Sequence, residues 1–333
     1  MSIDMLSTIV IFVVLFALVF EFINGFHDTA NAIATSVYTR ALSVRNAIIL
    51  ASSMNFIGAL VNEKVAKTIT ELVDVNIEEY VILAALIGAI IWNLLTWWKG
   101  IPSSSSHALI GSLIGAVIVY TMSGSHIVWH VVVEKVIVPL FASPVIGFIV
   151  GFWFMRLIFL VFASWTPSRV NKVFSKLQVI SAAFVAFSHG ANDAQKTMGI
   201  ITLALITGDV LPAGAGVPLV VKFMCAVVIT LGTSVGGYRI MKTMGGGVTK
   251  LEPAGGFAAQ TSAASIIMLM SFLGAPISTT HVITTSVMGV GSAKRISAVK
   301  WSIAKDIILT WIITLPLTAL IGGICVFLFG LIW

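Results

Sequence analysis

The sequence predicts an all-α polytopic membrane protein made of two inverted-topology repeats, each with a broken helix and a helical hairpin, in about 10–12 membrane-embedded helical segments. Three observations lead there. Of 333 residues, 58% are hydrophobic and only 10% charged, with a mean hydropathy of +1.07, which excludes an ordinary soluble domain. Apolar runs of spanning length, about 20 residues, recur along the chain. A short polar motif also occurs twice inside such runs, as Asn24-Gly25-Phe26-His27-Asp28-Thr29-Ala30-Asn31 and as Ser188-His189-Gly190-Ala191-Asn192-Asp193-Ala194-Gln195-Lys196. In both copies a Gly precedes an acid by three residues, and an amide or amine follows three residues later. An acid at the bilayer centre costs at least ~2.5 kcal/mol, so two of them in matching contexts point to a site.

The first run, 5 to 37, contains the first motif, is too long for one straight span, and is expected to break at Gly25. Asp4 precedes it without a basic leader or a convincing small-residue cleavage site, so it reads as a retained helix, with a cleaved signal peptide as the minor alternative. Arg40 and Arg45 follow, then a run from 46 to 62, then an acidic stretch, 63 to 79, expected to be a solvated loop. A third span, 80 to 98, ends near Trp92, Trp97 and Trp98, which suit an interface belt or a packed aromatic face. Gly100-Ile101-Pro102-Ser103-Ser104-Ser105-Ser106-His107 then forms a hairpin tip before the apolar return at 108 to 121. A loop with His126 and His130 leads to a long run, 136 to 163, and to Arg169, Lys172 and Lys176. The second half repeats the order: a run expected to break at Gly190 (177 to 207), a plain span (217 to 236), Arg239, Lys242 and Lys250, a hairpin (255 to 290) and a last long run (302 to 329). The second tip is Gly274-Ala275-Pro276-Ile277-Ser278-Thr279-Thr280-His281.

The tips align residue by residue: Pro102 with Pro276, Ser104 with Ser278, Ser105 with Thr279, Ser106 with Thr280, His107 with His281, Ser112 with Ser286 and Gly115 with Gly289. Residues 1–163 are therefore the first repeat, 164–176 a basic cytoplasmic linker and 177–333 the second repeat. With the basic loops inside, the acidic 63 to 79 stretch and both termini fall outside. Repeats of opposite orientation are the plan of secondary transporters, whose sites form at the midplane.

Carbonyls freed at a helix break, with Asp28 or Asp193 and Asn31 or Asn192, make an oxygen cage suited to a hard cation such as Na⁺; the competing reading is an acid that caps a half-helix or pairs with Lys196. The tips have the opposite polarity. Pro fits the first turn and Ser or Thr the cap, so helices starting near Ser104 and Ser278 aim amides and hydroxyls at an anion. The alternative is that these hydroxyls only join helices. His107 and His281 cap, pack or move protons. Glu21 is a gate, a cation ligand or a residue reaching toward the interface. Lys196 suits anion attraction.

Other chemistries find no support. The formal charge of +6 is spread over short loops, without the basic tract that nucleic acid would need. Cys225 and Cys325 sit in apolar runs and form no CxxC or zinc motif. Gly232-Thr233-Ser234-Val235-Gly236 fits a hydrolase nucleophile template, but it ends an apolar helix and lacks the strand-to-helix elbow; the chain does not read as an enzyme.

NGFHDTANAIAT at 24 to 35, SHGANDAQKTMGI at 188 to 200 and the tip at 276 to 281 resemble the inorganic phosphate transporter family called PiT over nearly the whole chain. The resemblance implies phosphate symport with Na⁺ or H⁺ and a homodimer. It makes Asp28, Asn31, Asn192 and Asp193 the signature residues and Ser104, Ser105, Ser106, Ser278, Thr279 and Thr280 the phosphate cradle, with Gln195 and Lys196 accessory. Phe26 and His27 replace the Ala and Asn of the general signature, as in its bacterial branch, and the compact loops suit a prokaryotic inner membrane. Asn55 and Gln260 stand where many relatives carry Glu. An amide cannot hold a proton, which favours Na⁺, whereas the bacterial-looking motif favours H⁺ or metal-phosphate cotransport.

Overall fold

The computed structural model describes residues 8–74, 77–236, 241 and 248–331. Their helices run in the order α1 (Thr8–Tyr38), α2 (Val44–Ala59), α3 (Lys64–Thr70), α4 (Glu79–Lys99), α5 (Ser105–Thr121), α6 (Trp129–Val161), α7 (Pro167–Thr207), α8 (Leu219–Val235), α9 (Pro253–Phe272), α10 (Thr279–Lys294) and α11 (Trp301–Gly330). Among the described residues, α1, α4, α6, α7, α9 and α11 are each long and apolar enough to cross a membrane, and α2 with α3, bent by 67°, make a seventh candidate. The chain is a multi-pass helical membrane protein, as its hydropathy predicts. Asp4, Arg239 and Lys242 lie outside the described residues.

Neither motif helix is broken. α1 continues through Gly25 and α7 through Gly190, so the expected free carbonyls do not arise there. The glycines serve contact instead. A Cβ on Gly25 would stand 2.6 Å from the Ile229 carbonyl oxygen, and one on Gly190 would stand 2.3 Å from that of Asn55. Bare backbone at these points lets α8 lie against α1 and α2 against α7, the role of small residues in membrane helix packing.

Two loop expectations are also corrected. The acidic 63 to 79 stretch contains α3, which buries Val65, Ala66, Thr68 and Ile69. Gly199 of α7 admits it, since a Cβ there would be 2.6 Å from that of Ile69. The charges of this stretch still face outward: Lys67 lies 3.8 Å from Glu71, and Glu63 lies 2.6 Å from Lys222. The basic linker is helical from Pro167 onward, where a Pro in the first turn and a Thr166 side chain accepting from the Arg169 amide at 3.4 Å start α7.

Each hairpin is tied at its feet. Before α4 and after α5, the Asp74 amide donates to His126 O at 2.8 Å and the Val128 amide to Leu72 O at 3.0 Å. Before α9 and after α10, the Lys300 amide donates to Val248 O at 2.9 Å. The two pairs of feet lie at opposite ends of α1. Gly208 touches both Val10 of early α1 and Glu79 at the first hairpin's foot, whereas Gln178 touches Gly256 at the second foot and accepts from Thr39, just past α1, at 2.7 Å.

The helix contacts exchange when the halves are exchanged. α1 packs on α8 as α7 packs on α2, α1 on α4 as α7 on α9, and α5 on α11 as α10 on α6. The last of these pairings rests on backbone contact at aligned glycines, Gly115 against Ala319 O and Gly289 against Phe148 O.

Gly190→Val should lower the thermal midpoint of the detergent-solubilised protein, an overpacking cost of about 1–3 kcal/mol or more. Gly330→Ala should leave the midpoint in place, because nothing stands within 4 Å of its Cβ.

Candidate functional site

In an α-helix, residues three and four apart share a face. Asn24, Asp28 and Asn31 therefore form one stripe of α1, and His189, Asp193 and Lys196 one stripe of α7. The structure turns these stripes toward each other. Asp28 is 2% exposed, Asp193 0% and Lys196 1%, and the ligand atoms of Asp28, His189 and Asp193 all lie within 4.8 Å of one another. The two signature acids meet in one cluster, where the sequence suggested two cages at two helix breaks.

The hairpin tips close this cluster. Ser104 and Ser278 act as the helix caps expected of them, each side chain accepting at 3.2 Å from the backbone amide of His107 or His281. The next residue of each tip meets the acid of its own half. Ser105 donates to Asp28 Oδ2 and lies 2.8 Å from Asn24 Oδ1, and Thr279 donates to Asp193 Oδ2 at 3.2 Å. The residue after that meets the opposite half. Asn31 donates to Thr280 Oγ1 at 2.8 Å, and Lys196 donates to Ser106 Oγ. Thr280 also donates to Asp28 Oδ1 at 3.2 Å.

The two halves differ in charge compensation. Lys196 Nζ has three oxygen acceptors, Asp193 Oδ1, Ser106 Oγ and Ile277 O, the last at 3.0 Å, which use all three of its protons. His189 Nε2 stands 3.1 Å from Asp193 Oδ2. On the other side, Asp28 Oδ1 receives His27 Nδ1 at 2.7 Å, and among the described residues no amine reaches Asp28. Among the described residues the buried carbonyl oxygens of Asn31 and Asn192 have no partners, while the Asn192 amide donates to Ala275 O at 3.1 Å.

The accessory residues divide. Asn55 belongs to the wall of the cluster: its Oδ1 lies 3.1 Å from His189 Nδ1, and its amide reaches Thr29 and Thr233, each at 2.9 Å. Gln260 instead braces α9 on α1 through Ala32 O and Ser36 at 3.1 and 2.7 Å. Gln195 faces α3, accepting from the Val65 amide at 2.8 Å. Glu21, two turns before Asp28, accepts from Thr197 through one oxygen, and its other oxygen is buried with no partner among the described residues. His107 and His281 lie side by side at 4.9 Å, with His281 stacked 3.9 Å from Trp311, behind the tips and apart from the acids. Ser234 sits in an unbroken helix and donates to Leu231 O at 2.6 Å, which removes the hydrolase elbow. His189 and Thr233 join the site without being among the residues the sequence marks. The spacing of four between His189 and Asp193 was the available signal for the first; the second had none.

The sequence profile of the phosphate transporter family matches residues 24–168 and 161–322. A probable low-affinity inorganic phosphate transporter of Bacillus subtilis is 47% identical over 334 residues, 99% of this chain and 100% of that protein. One of Rhizobium meliloti is 46% identical over 93% of each chain. A solved structure, the sodium-dependent phosphate transporter, superposes with a TM-score of 0.90 at 26% identity, covering 98% of this chain and 100% of that one.

Asp193→Asn should destabilise the protein more than Asp28→Asn, since it leaves the Lys196 amine without its acid, a loss of about 3–5 kcal/mol for a broken buried pair. The detergent melting midpoint measures this, and Asp193→Asn with Lys196→Met should recover much of the loss. Equal effects of the two single variants would contradict the unequal charge compensation described above.

Proposed function

The chain belongs to the phosphate transporter family, and we propose that it imports inorganic phosphate by symport with Na⁺ through alternating access at this buried cluster. The observation that carries the reading is the meeting of both acids with both hydroxyl-bearing tips. An anion site needs donors: Ser105, Ser106, Thr279 and Thr280 of the tips and the Asn31 amide already meet the acids, Lys196 or one another, and on this reading Ser104, Ser278 and Asn192 complete the phosphate cradle. A cation site needs acceptors, and Asp28, Asp193 and the free carbonyl oxygens of the same two Asn residues supply them. The sodium dependence in the name of the superposable structure supports Na⁺ as the coupling ion.

Coupling follows from repulsion. Two carboxylates within 4.8 Å repel by about 3 kcal/mol at an effective dielectric constant of about 20, and phosphate adds further negative charge. A bound cation removes that cost before the anion enters, so each stabilises the other's binding. The opposite placement of the hairpin feet along α1 supports two inverted repeats, residues 1–163 and 177–333, rocking about the cluster. The basic residues near Arg40, Lys172 and Arg295 then face the cytoplasm and both termini face outward, in a prokaryotic inner membrane and as a homodimer.

Proteoliposomes given a Na⁺ gradient at constant pH should accumulate labelled phosphate saturably. Uptake driven only by a pH gradient without Na⁺ would replace Na⁺ with H⁺ as the coupling ion. A cation channel or exchanger would accumulate no phosphate. Ser105→Ala and Thr279→Ala should each raise the half-saturating phosphate concentration, because each removes a tip donor.

A further inference from the structure

We propose that the Lys196 ammonium is a tethered cation that fills the second half's cation position, so that the protein couples phosphate to one fewer mobile cation than its twofold design would allow. This rests on the symport reading above and concerns how many ions that site uses. Internal symmetry supplies the first argument. When the motifs are aligned on their glycines, Lys196 takes the place of Asn31, and the two side chains do the same structural work, reaching Ser106 and Thr280 at aligned positions of the opposite tip.

The ligand set is the second argument. A carboxylate, a hydroxyl and a backbone carbonyl surround Nζ, the oxygen donors that a hard cation selects. The ammonium is buried with each proton used, so it occupies the position that an ion would need. On the Asp28 side the aligned amide leaves the acid among His27, Ser105 and Thr280, and the buried Asn31 Oδ1 has no hydrogen-bond partner among the described residues. An acceptor beside a carboxylate with no amine is a cation ligand in waiting.

Charge arithmetic gives the same answer. Within the cluster, where Glu21 is set apart two turns away against Thr197, Asp28 and Asp193 contribute two negative charges and Lys196 one positive charge, leaving a single negative charge for a mobile ion to neutralise before phosphate arrives. Residue 196 thus sets ion stoichiometry, and the mobile cation belongs beside Asp28.

Two reciprocal variants test this in proteoliposomes. At static head, with the membrane potential clamped, phosphate accumulation is measured against the Na⁺ gradient. Lys196→Asn gives both halves an amide, and its accumulation should steepen by one power of the gradient, about tenfold for a ~10-fold gradient, since the extra ion contributes its own RT ln ratio. Asn31→Lys should flatten it by the same power. Unchanged slopes in active variants overturn the proposal. If both variants are folded by size-exclusion and melting criteria yet take up no phosphate in any Na⁺ gradient, or if neither folds, Lys196 is a structural tie and the proposal also falls. Failure of the Na⁺ reading looks different: the wild type would respond only to a pH gradient, while Lys196→Asn acquiring a Na⁺ response would still support the tethered cation.

Discussion

Everything in this molecule depends on the burial of two carboxylates beside each other. Asp28 and Asp193 lie within 4.8 Å in a shell of almost no solvent exposure, the least favourable arrangement for two like charges in a low-dielectric interior. The fold answers with every donor it can bring: hydroxyls from both tips, two histidines, and on one side a full amine. The tips have to come to the centre of the protein because the acids are there, and the hairpins have to be long because the tips must reach that far. The feet of those hairpins are then held by backbone bonds at the two ends of the bundle.

The helical membrane class, the two hairpins, their caps and the pairing of the two acids were all legible in the residues. They are local signals, written in hydropathy, in Pro and Ser at helix starts, and in a repeated motif. The approach of Asp28 and Asp193 to within 4.8 Å was not legible, because it is set by how α1 and α7 are rotated against each other. A Gly inside an apolar run was ambiguous in the same way. It can release a helix or admit a neighbour, and only the backbones of α8 and α2 against Gly25 and Gly190 decide for the second. Gln195 shows a finer limit. It lies in the motif, but two residues from Asp193 is the far side of a helix, and its amide accordingly serves α3.

The tip contacts divide in an orderly way. One residue of each tip serves the acid of its own half, and the next serves the neighbouring half. The second kind of contact, Asn31 to Thr280 and Lys196 to Ser106, crosses the molecular centre twice. On the proposed transport reading, any phosphate that enters between the tips competes for the hydroxyls that hold the halves together. Substrate binding and loosening of the centre then draw on the same donors.

The unbroken motif helices carry a mechanical consequence. With α1 and α7 continuous through their glycines, their backbone bonds are already satisfied and there is no weak link at which to bend. What the glycines provide is a smooth face, where the carbonyls of Ile229 and Asn55 rest against Cα atoms with no side chain between. Such surfaces have no interlocking knobs to lift over one another. They seat backbone directly on backbone, so each rod is held along its length by its neighbour and not at a single knob.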